Sequence, residues 1–525
     1  MKKTYRDALH YFPKTIFSSI FIEMFQVATT IICASVIGSF SNAVFNQETA
    51  YVIDNLWYLL ACISINVIAV PLLCYWGDTI CIKDSIRYDI FMFSQFLRLP
   101  YEEGSKIPVG EVKARLESDV IAFRNLMIGI ITKAVTTPLS LIGIIVLMVR
   151  INLLYTVITI VLSLVVLIVP HFTKKLSAKY DDETRRYEAQ ESARSYDLII
   201  LSPFIKLYRL GGQLLSDYRN SFAVYREKTQ KKSILLKSLC ENISALLAAF
   251  SNILILILGA YFLSENIVSA GEILAMAGYY TALLSSMGNV GFIISRTAIL
   301  KNVETRVAVF YSNENTANGI PSDNLLPLSA NQVSYSIDGK CILNPVSFQI
   351  RPNQKVAIIG KNGTGKSTLL NIITGLYRSY DGTVISGTTE LKEYPLPVLA
   401  EKYSFVSQSP FVFNGTVREN IEFGCDVVDE QKAEDIMKSV GIFDMRDRVI
   451  NTKANNLSGG ELQRISLARA LLRDRTVIIM DEPNNHLDHA CVAWIKEYIR
   501  TSKKSILYVT HDQELTNLAD MVNCI

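Results

Sequence analysis

Two clusters of residues in this chain carry legible chemistry. The first is Gly360-Lys361-Asn362-Gly363-Thr364-Gly365-Lys366-Ser367-Thr368, set between an apolar run at 354–359 that predicts a buried strand and a segment at 369–376 that predicts a helix. Glycines at this spacing let successive backbone N–H groups turn inward around phosphate oxygens without side-chain clash. Lys366 supplies a point charge for β- and γ-phosphates, Ser367 a hydroxyl for Mg2+, and the following helix an N-terminus that favours anions. Gly360, Asn362, Gly363, Gly365, Lys366, Ser367 and Thr368 are therefore candidate ATP-binding residues. The second cluster is Asp481-Glu482, which closes the buried run Val477-Ile478-Ile479-Met480. Asp481 at the end of such a strand can hold Mg2+, directly or through water, and Glu482 can polarise a water that attacks the γ-phosphate. Gln408 and His511, the latter following a third strand at 506–510, are further candidates for contacts to Mg2+, water and γ-phosphate.

The elements ahead of these clusters are of a different kind. A membrane span needs about 20 mostly apolar residues. Runs at 16–40, 56–75, 127–149, 153–170, 243–263 and 273–294 predict six spans. An even number puts both chain ends on one side, and the need for ATP places that side in the cytosol. The basic residues agree. The intervals 41–55 and 264–272 contain no Lys or Arg, whereas Lys83, Arg87, Lys113, Arg124, Lys174, Lys175, Lys179, Arg185 and Arg186 fall in the intervals placed inside, the positive-inside pattern. The inside intervals keep apolar residues at helical spacing, as in Val112, Leu116, Val120 and Phe123, which predicts helices continuing out of the membrane. Glu23 and Lys133 lie within spans, and Arg296 lies just past the sixth. Such a charge costs about 3 kcal/mol on insertion scales, so a polar translocation pathway is the functional reading and snorkelling toward a membrane face the bland one.

Composition fits this division. At 525 residues the chain is too long for one ordinary domain. Hydrophobic residues make up 50% and charged residues 19%, which suits a chain partly dissolved in lipid. A net charge of +3 gives no case for a nucleic-acid partner. Nine cysteines without a C-x-x-C spacing indicate neither a disulfide framework nor a zinc site. The expected layout is a transmembrane domain over 1–310, a polar linker over 311–327 and a nucleotide-binding domain over 328–525.

Leu457-Ser458-Gly459-Gly460-Glu461, followed by Gln463-Arg464, resembles the signature motif of ATP-binding-cassette (ABC) transporters. Tyr403-Ser404-Phe405-Val406-Ser407-Gln408 resembles their Q-loop, Asn485-His486-Leu487-Asp488 their D-loop, and Val509-Thr510-His511-Asp512 their switch-histidine loop. Ser269-Ala270-Gly271-Glu272 is similar to the entry of an exporter's sixth span. The resemblance implies a six-helix all-α transmembrane domain of the ABC exporter fold, followed by an α/β P-loop NTPase domain. It implies Glu482, His511, Gln408 and Lys366 as catalytic residues, with Ser367, Gln408 and Asp481 at Mg2+. It further implies that two cassettes sandwich two ATP molecules. Ser458, Gly459, Gly460 and Glu461 would contact nucleotide across the interface, with Ser458 and Gly460 donating to the γ-phosphate, and Asp488 is a further nucleotide-binding candidate. Short helices near 99–106 and 202–206 are expected to transmit closure by docking beside Gln408. The adenine-stacking place falls on Ile337 by the family pattern, and Tyr335, at the preceding aromatic position, is the candidate for adenine contact.

Lys366, Glu482 and the 457–461 motif are intact, which implies a homodimer with two competent sites in the cytoplasmic membrane. The expected activity is ATP-driven export of a peptide, an amphipathic small molecule or a lipid. An exporter-fold importer of a metal-chelate complex, or a non-transporting ATP-gated channel or regulator, are the alternatives.

Overall fold

The computed structural model describes residues 3–166, 183, 187, 195–196, 198–225, 230–311 and 325–525, apart from 338, 426 and 452–455. The expected linker over 311–327 falls mostly outside these residues, as do Lys174, Lys175, Lys179, Arg185 and Arg186. The chain divides into two compact units, Met1–Gln95 with Gly110–Tyr311, and Phe96–Val109 with Ser312–Ile525.

The first unit is helical. Pro13–Phe45, Thr49–Leu97, Val109–Ile151, Ala245–Ser264 and Ala270–Tyr311 are long and apolar enough to cross a membrane, and Leu153–Val166 is a shorter apolar helix. Five of the six predicted runs fall on the long helices; the run at 153–170 begins on Leu153–Val166, and its residues 167–170 lie outside the described residues. Thr49–Leu97 has 49 residues, about 73 Å at the helical rise, against a hydrocarbon core of about 30 Å. The helices therefore continue well past any span, as the spacing of Val112, Leu116, Val120 and Phe123 predicts. Large apolar side chains such as Phe17, Ile32, Trp57, Leu72, Ile142 and Ile257 are exposed, an outward-facing surface that suits lipid rather than water. Ile144, Met148, Tyr155, Met276, Tyr280 and Leu283 form the core.

Polar side chains join these helices both within the apolar runs, where lipid offers no hydrophobic drive between them, and beyond the runs. Thr15 Oγ1 donates to Asp84 Oδ2 at 2.7 Å, and Ser140 and Ser286 join through their hydroxyls at 3.1 Å. The last helix begins with a capping box formed by Ser269 and Glu272. Asn42 donates to Ser269 Oγ at 3.0 Å and accepts from the Gly271 amide, fixing that helix start against Pro13–Phe45.

The second unit is α/β. Its strands are β1 (Leu328–Ile337), β2 (Lys340–Ile350), β3 (Lys355–Ile359), β4 (Asp381–Ser386), β5 (Thr389–Glu390), β6 (Tyr403–Val406), β7 (Gly415–Thr416), β8 (Val449–Ile450), β9 (Val477–Asp481), β10 (Ser505–Val509) and β11 (Met521–Cys524). One sheet has the order β2-β1-β4-β5 and is antiparallel. The other has the order β11-β3-β10-β9-β6 and is parallel throughout. β9 and β10 are buried along their whole length, which explains their unbroken apolar runs. One core, including Val333, Leu343, Leu369 and Ile479, joins the two sheets. A second, including Ile421, Met437, Ile465 and Ile495, covers the other face with helices.

This topology positions the chemistry. In register, Val509 lies opposite both Ile358 of β3 and Asp481 of β9. The segments that follow β3, β6, β9 and β10 carry Lys366, Gln408, Glu482 and His511. All four emerge from the carboxyl edge of one parallel sheet, where α/β folds place ligands.

Candidate functional site

At the end of β3 the backbone turns through Gly363 (φ 83°) and Gly365 (φ 92°) into the helix Lys366–Ile373. A side chain at Gly365 would be strained by its φ and would lie 2.6 Å from the Ile342 carbonyl oxygen. Lys366 Nζ donates to the carbonyls of Gly360 at 2.8 Å and Lys361 at 2.9 Å. The loop thus holds its own ammonium group at the helix N-terminus. Asn362, Gly363, Gly365, Lys366, Ser367, Thr368, Gln408 and Glu482 line one cavity of about 340 Å3.

Ser367 Oγ donates to Asp481 Oδ2 at 2.9 Å. Burial pushes the Asp481 carboxyl above its ordinary range and the neighbouring Glu482 adds to this, while the Ser367 bond and the Lys366 charge oppose it. A hydroxyl and a buried carboxylate in contact form an oxygen donor pair that suits a small hard cation such as Mg2+, whose charge would relieve the crowding of the two acids.

Glu482 has φ 48°, rare for a residue with a side chain, and its amide donates to the Val509 carbonyl at 3.1 Å. The sharp turn aims the carboxylate back into the cavity. Glu482 Oε2 accepts from Gln408 Nε2 at 3.1 Å and from Asn485 Nδ2 at 2.5 Å, and Oε1 lies 3.3 Å from His511 Nε2. Gln408 and His511 are therefore brought to the acid, and Gln408 faces Glu482 rather than Ser367 and Asp481. Asn485 was legible only as part of a loop motif; its place three residues after the acid, in the turn that reverses the chain, is the signal for a direct partner.

The 457–461 motif starts the helix Gly459–Leu472, with Ser458 as its cap. Ser458 Oγ accepts from the Glu461 amide at 3.2 Å, and Glu461 accepts from the Ser458 amide at 2.7 Å. A hydroxyl that accepts there still has its own proton to donate. The Ser458 amide bond, more than Arg448 nearby, holds the Glu461 carboxyl below its usual range. Asp488 caps His489–Thr501 and pairs with Arg464 at 2.5 Å, tying the signature helix to the loop after Glu482. None of residues 457–461 is among those lining the phosphate-loop cavity. Within one chain, the two groups of nucleotide-binding candidates face different places.

The ABC transporter family model matches residues 343–485, and the model of the ABC transporter transmembrane region matches residues 15–287, slightly more than half of the chain. This chain is an ABC transporter. It is 26% identical over 461 residues to the multidrug resistance-like ATP-binding protein MdlA of Buchnera aphidicola subsp. Baizongia pistaciae, covering 82% of this chain and 77% of that one. It is 27% identical over 333 residues to the lactococcin-G-processing and transport ATP-binding protein LagD of Lactococcus lactis subsp. lactis, covering 61% of this chain and 47% of that one. The structure of a bacterial Atm1-family ABC exporter with ATP bound matches with a TM-score of 0.80 at 17% identity, over 98% of this chain and 93% of that one. The transporter accordingly has the exporter fold, a membrane half followed by an ATP-binding half, and is an ATPase coupled to transport.

Two expectations for the transporter need correction. Tyr335 is only 6% exposed, and its ring stacks on Tyr377 at 5.0 Å with an interplanar angle of 12°. Its hydroxyl lies 3.4 Å from Glu102. Burial first, and the Glu102 charge second, push this phenol up to about 12, so it stays a donor. With one face on Tyr377 and little surface left, the ring has no free face for adenine, and Ile337 beyond it is exposed.

The short helix expected near 99–106 also departs from expectation. It forms at Tyr101–Gly104, and its hydrogen bonds to the ATP-binding half run from Glu102 to Arg378, Ser379 and Tyr335, with none to Gln408 among the described residues. Its Oε1 accepts from the amides of Arg378 and Ser379 at 3.0 Å each, and its Oε2 from Ser379 Oγ at 2.8 Å. Two adjacent backbone donors are a stronger draw for a carboxylate than an amide side chain. The other short helix, Ser202–Leu207, belongs to the first unit.

Both features are testable. Glu102→Ala is expected to speed hydrogen exchange at the Arg378 and Ser379 amides by about tenfold, the loss of roughly 1.5 kcal/mol of charged hydrogen bonding. Gly460→Ala is expected to cut ATPase activity at least about tenfold. A Cβ there would lie 2.6 Å from the His486 carbonyl oxygen, and the signature helix or the 485–488 loop must shift to admit it. Steady-state hydrolysis on the purified variant checks this.

Proposed function

We propose that the protein exports a small or medium-sized substrate from the cytosol across the cytoplasmic membrane, as a homodimer that hydrolyses ATP at two shared sites. The observation that carries this reading is the division of the nucleotide-binding candidates. Lys366, Ser367, Gln408 and Glu482 share one cavity, while Ser458 and Gly460 do not reach it. A second copy, related by two-fold symmetry, supplies what each cavity lacks.

Lys366 and the backbone amides of the loop bind the β- and γ-phosphates. On arrival of the phosphates, the Lys366 ammonium exchanges the Gly360 and Lys361 carbonyls for phosphate oxygens. Glu482 orients the attacking water, and Asn485 fixes the carboxylate. His511 and Gln408, both within reach of Glu482, are free to turn toward the γ-phosphate once it lies among them. Ser458 and Gly460 of the second copy donate to that phosphate and exclude water. Mg2+, held by Ser367 and Asp481, would offset the charge that develops between the β- and γ-phosphates. Export follows if the ATP-closed state holds substrate more weakly than the open one, since only differential affinity couples the two cycles.

The test is reconstitution into liposomes. Peptides, lipids and dyes are screened for stimulation of ATPase and for directional, ATP-dependent movement, with Glu482→Gln as the inactive control. Movement down a gradient that is indifferent to ATP would contradict the reading.

A further inference from the structure

One charged pair inside the membrane unit takes no part in the ATPase chemistry. Glu23, on Pro13–Phe45, and Lys133, on Val109–Ile151, form an ion pair between the two helices. Glu23 Oε2 also accepts from Thr136 Oγ1 at 2.9 Å. The pair is not sealed into the helix interface, because its side chains are 19% and 30% exposed. Both line a cavity of about 280 Å3, whose wall also includes Gln26, Ser285 and Asn289. Among the described residues these three side chains have no hydrogen-bond partner. The same pair borders a second cavity of about 420 Å3 that includes Asp78 and Asn125. Arg296 lies apart, its guanidinium 5.4 Å from the centre of the Phe292 ring.

We propose that this cavity binds a small zwitterion, with Glu23 meeting its ammonium group and Lys133 its carboxylate or phosphate; the substrate role rests on the exporter reading above. Charges at membrane depth are retained where they face water or a ligand. Helix adhesion alone does not call for an ion pair, since neutral polar or apolar partners serve as well. A lone anion at Lys133 would strip Glu23 of its counter-ion, and a lone cation at Glu23 would do the same to Lys133. A zwitterion replaces both partners at once. Gln26, Ser285 and Asn289 supply amide and hydroxyl groups for the stretch between the two charges. The volume suits a short peptide or a lipid headgroup such as phosphoethanolamine, which share this chemistry.

The test uses the full chain in nanodiscs of phosphatidylglycerol. Calorimetry measures binding of the tripeptide Gly-Ala-Gly, its N-acetyl form with only the anion, and its C-terminal amide with only the cation. The zwitterion is expected to bind at least about tenfold more tightly than either. In Glu23→Gln its advantage over the acetylated form should vanish, and in Lys133→Met its advantage over the amide. Glu23→Lys combined with Lys133→Glu should restore zwitterion selectivity. A separate arm offers mixed phosphatidylethanolamine and phosphatidylglycerol. Selective retention of phosphatidylethanolamine by the purified protein, lost in the single variants, assigns the site to a lipid headgroup instead of a free peptide. The proposal is overturned if the wild type shows neither tripeptide selectivity nor lipid selectivity, or if the single variants weaken all ligands alike. ATP-driven movement of a neutral dye with no zwitterion selectivity would sink this site and leave the exporter reading standing. Zwitterion binding without any ATP-driven movement would do the reverse.

Discussion

Replacing Glu482 by Gln is expected to lower ATP turnover by about 10²- to 10³-fold while ATP remains bound. The substitution keeps the shape of the side chain and its reach to Gln408, Asn485 and His511, which lie 3.1, 2.5 and 3.3 Å away. What it removes is the negative charge that orients and polarises water. The phosphate loop, Lys366 and the Ser367–Asp481 pair are untouched, so affinity should hold. Single-turnover hydrolysis and nucleotide binding, measured on the same preparation, separate the two effects. A fall in binding that matched the fall in turnover would show that Glu482 acts on the fold of the loop.

Lys366→Ala is expected to impair binding as well as turnover. It should weaken ATP binding by roughly 100-fold, about 3 kcal/mol, before any question of turnover arises. Lys366 is buried, and its ammonium group is held by the Gly360 and Lys361 carbonyls at 2.8 and 2.9 Å. Removing it leaves two carbonyls facing the site with no positive charge to answer a triphosphate. Titration with ATP should show the loss, and saturating ATP should recover little activity, because the same charge stabilises the transferring phosphate.

The parallel sheet and its loops were legible because their signals are local. A buried Val-Ile run ending in Asp481-Glu482, or a glycine-rich turn before Lys366, needs no knowledge of distant residues. Five of the apolar runs were legible for the same reason, since lipid selects on length and composition. Glu102 was not legible, because its partners Tyr335, Arg378 and Ser379 lie more than two hundred residues away in the chain. Tyr335 misled because an aromatic in a strand reads alike as a core residue or a stacking platform, and only its packing on Tyr377 decides. Asn485 looked like turn chemistry, and the turn itself hides a contact to the acid. Glu23 and Lys133 were each visible as charges out of place, but no local pattern links two residues on different helices.

In the proposed dimer each nucleotide is held between two copies of this chain. The mass and nucleotide content of the Glu482→Gln protein in nanodiscs, determined after incubation with ATP and Mg2+, decide this. Two chains retaining two ATP molecules are expected, with loss of that retention in the Ser458→Arg, Glu482→Gln double variant. A wild-type protein that hydrolysed ATP at full rate as a single copy, indifferent to Ser458→Arg, would contradict it.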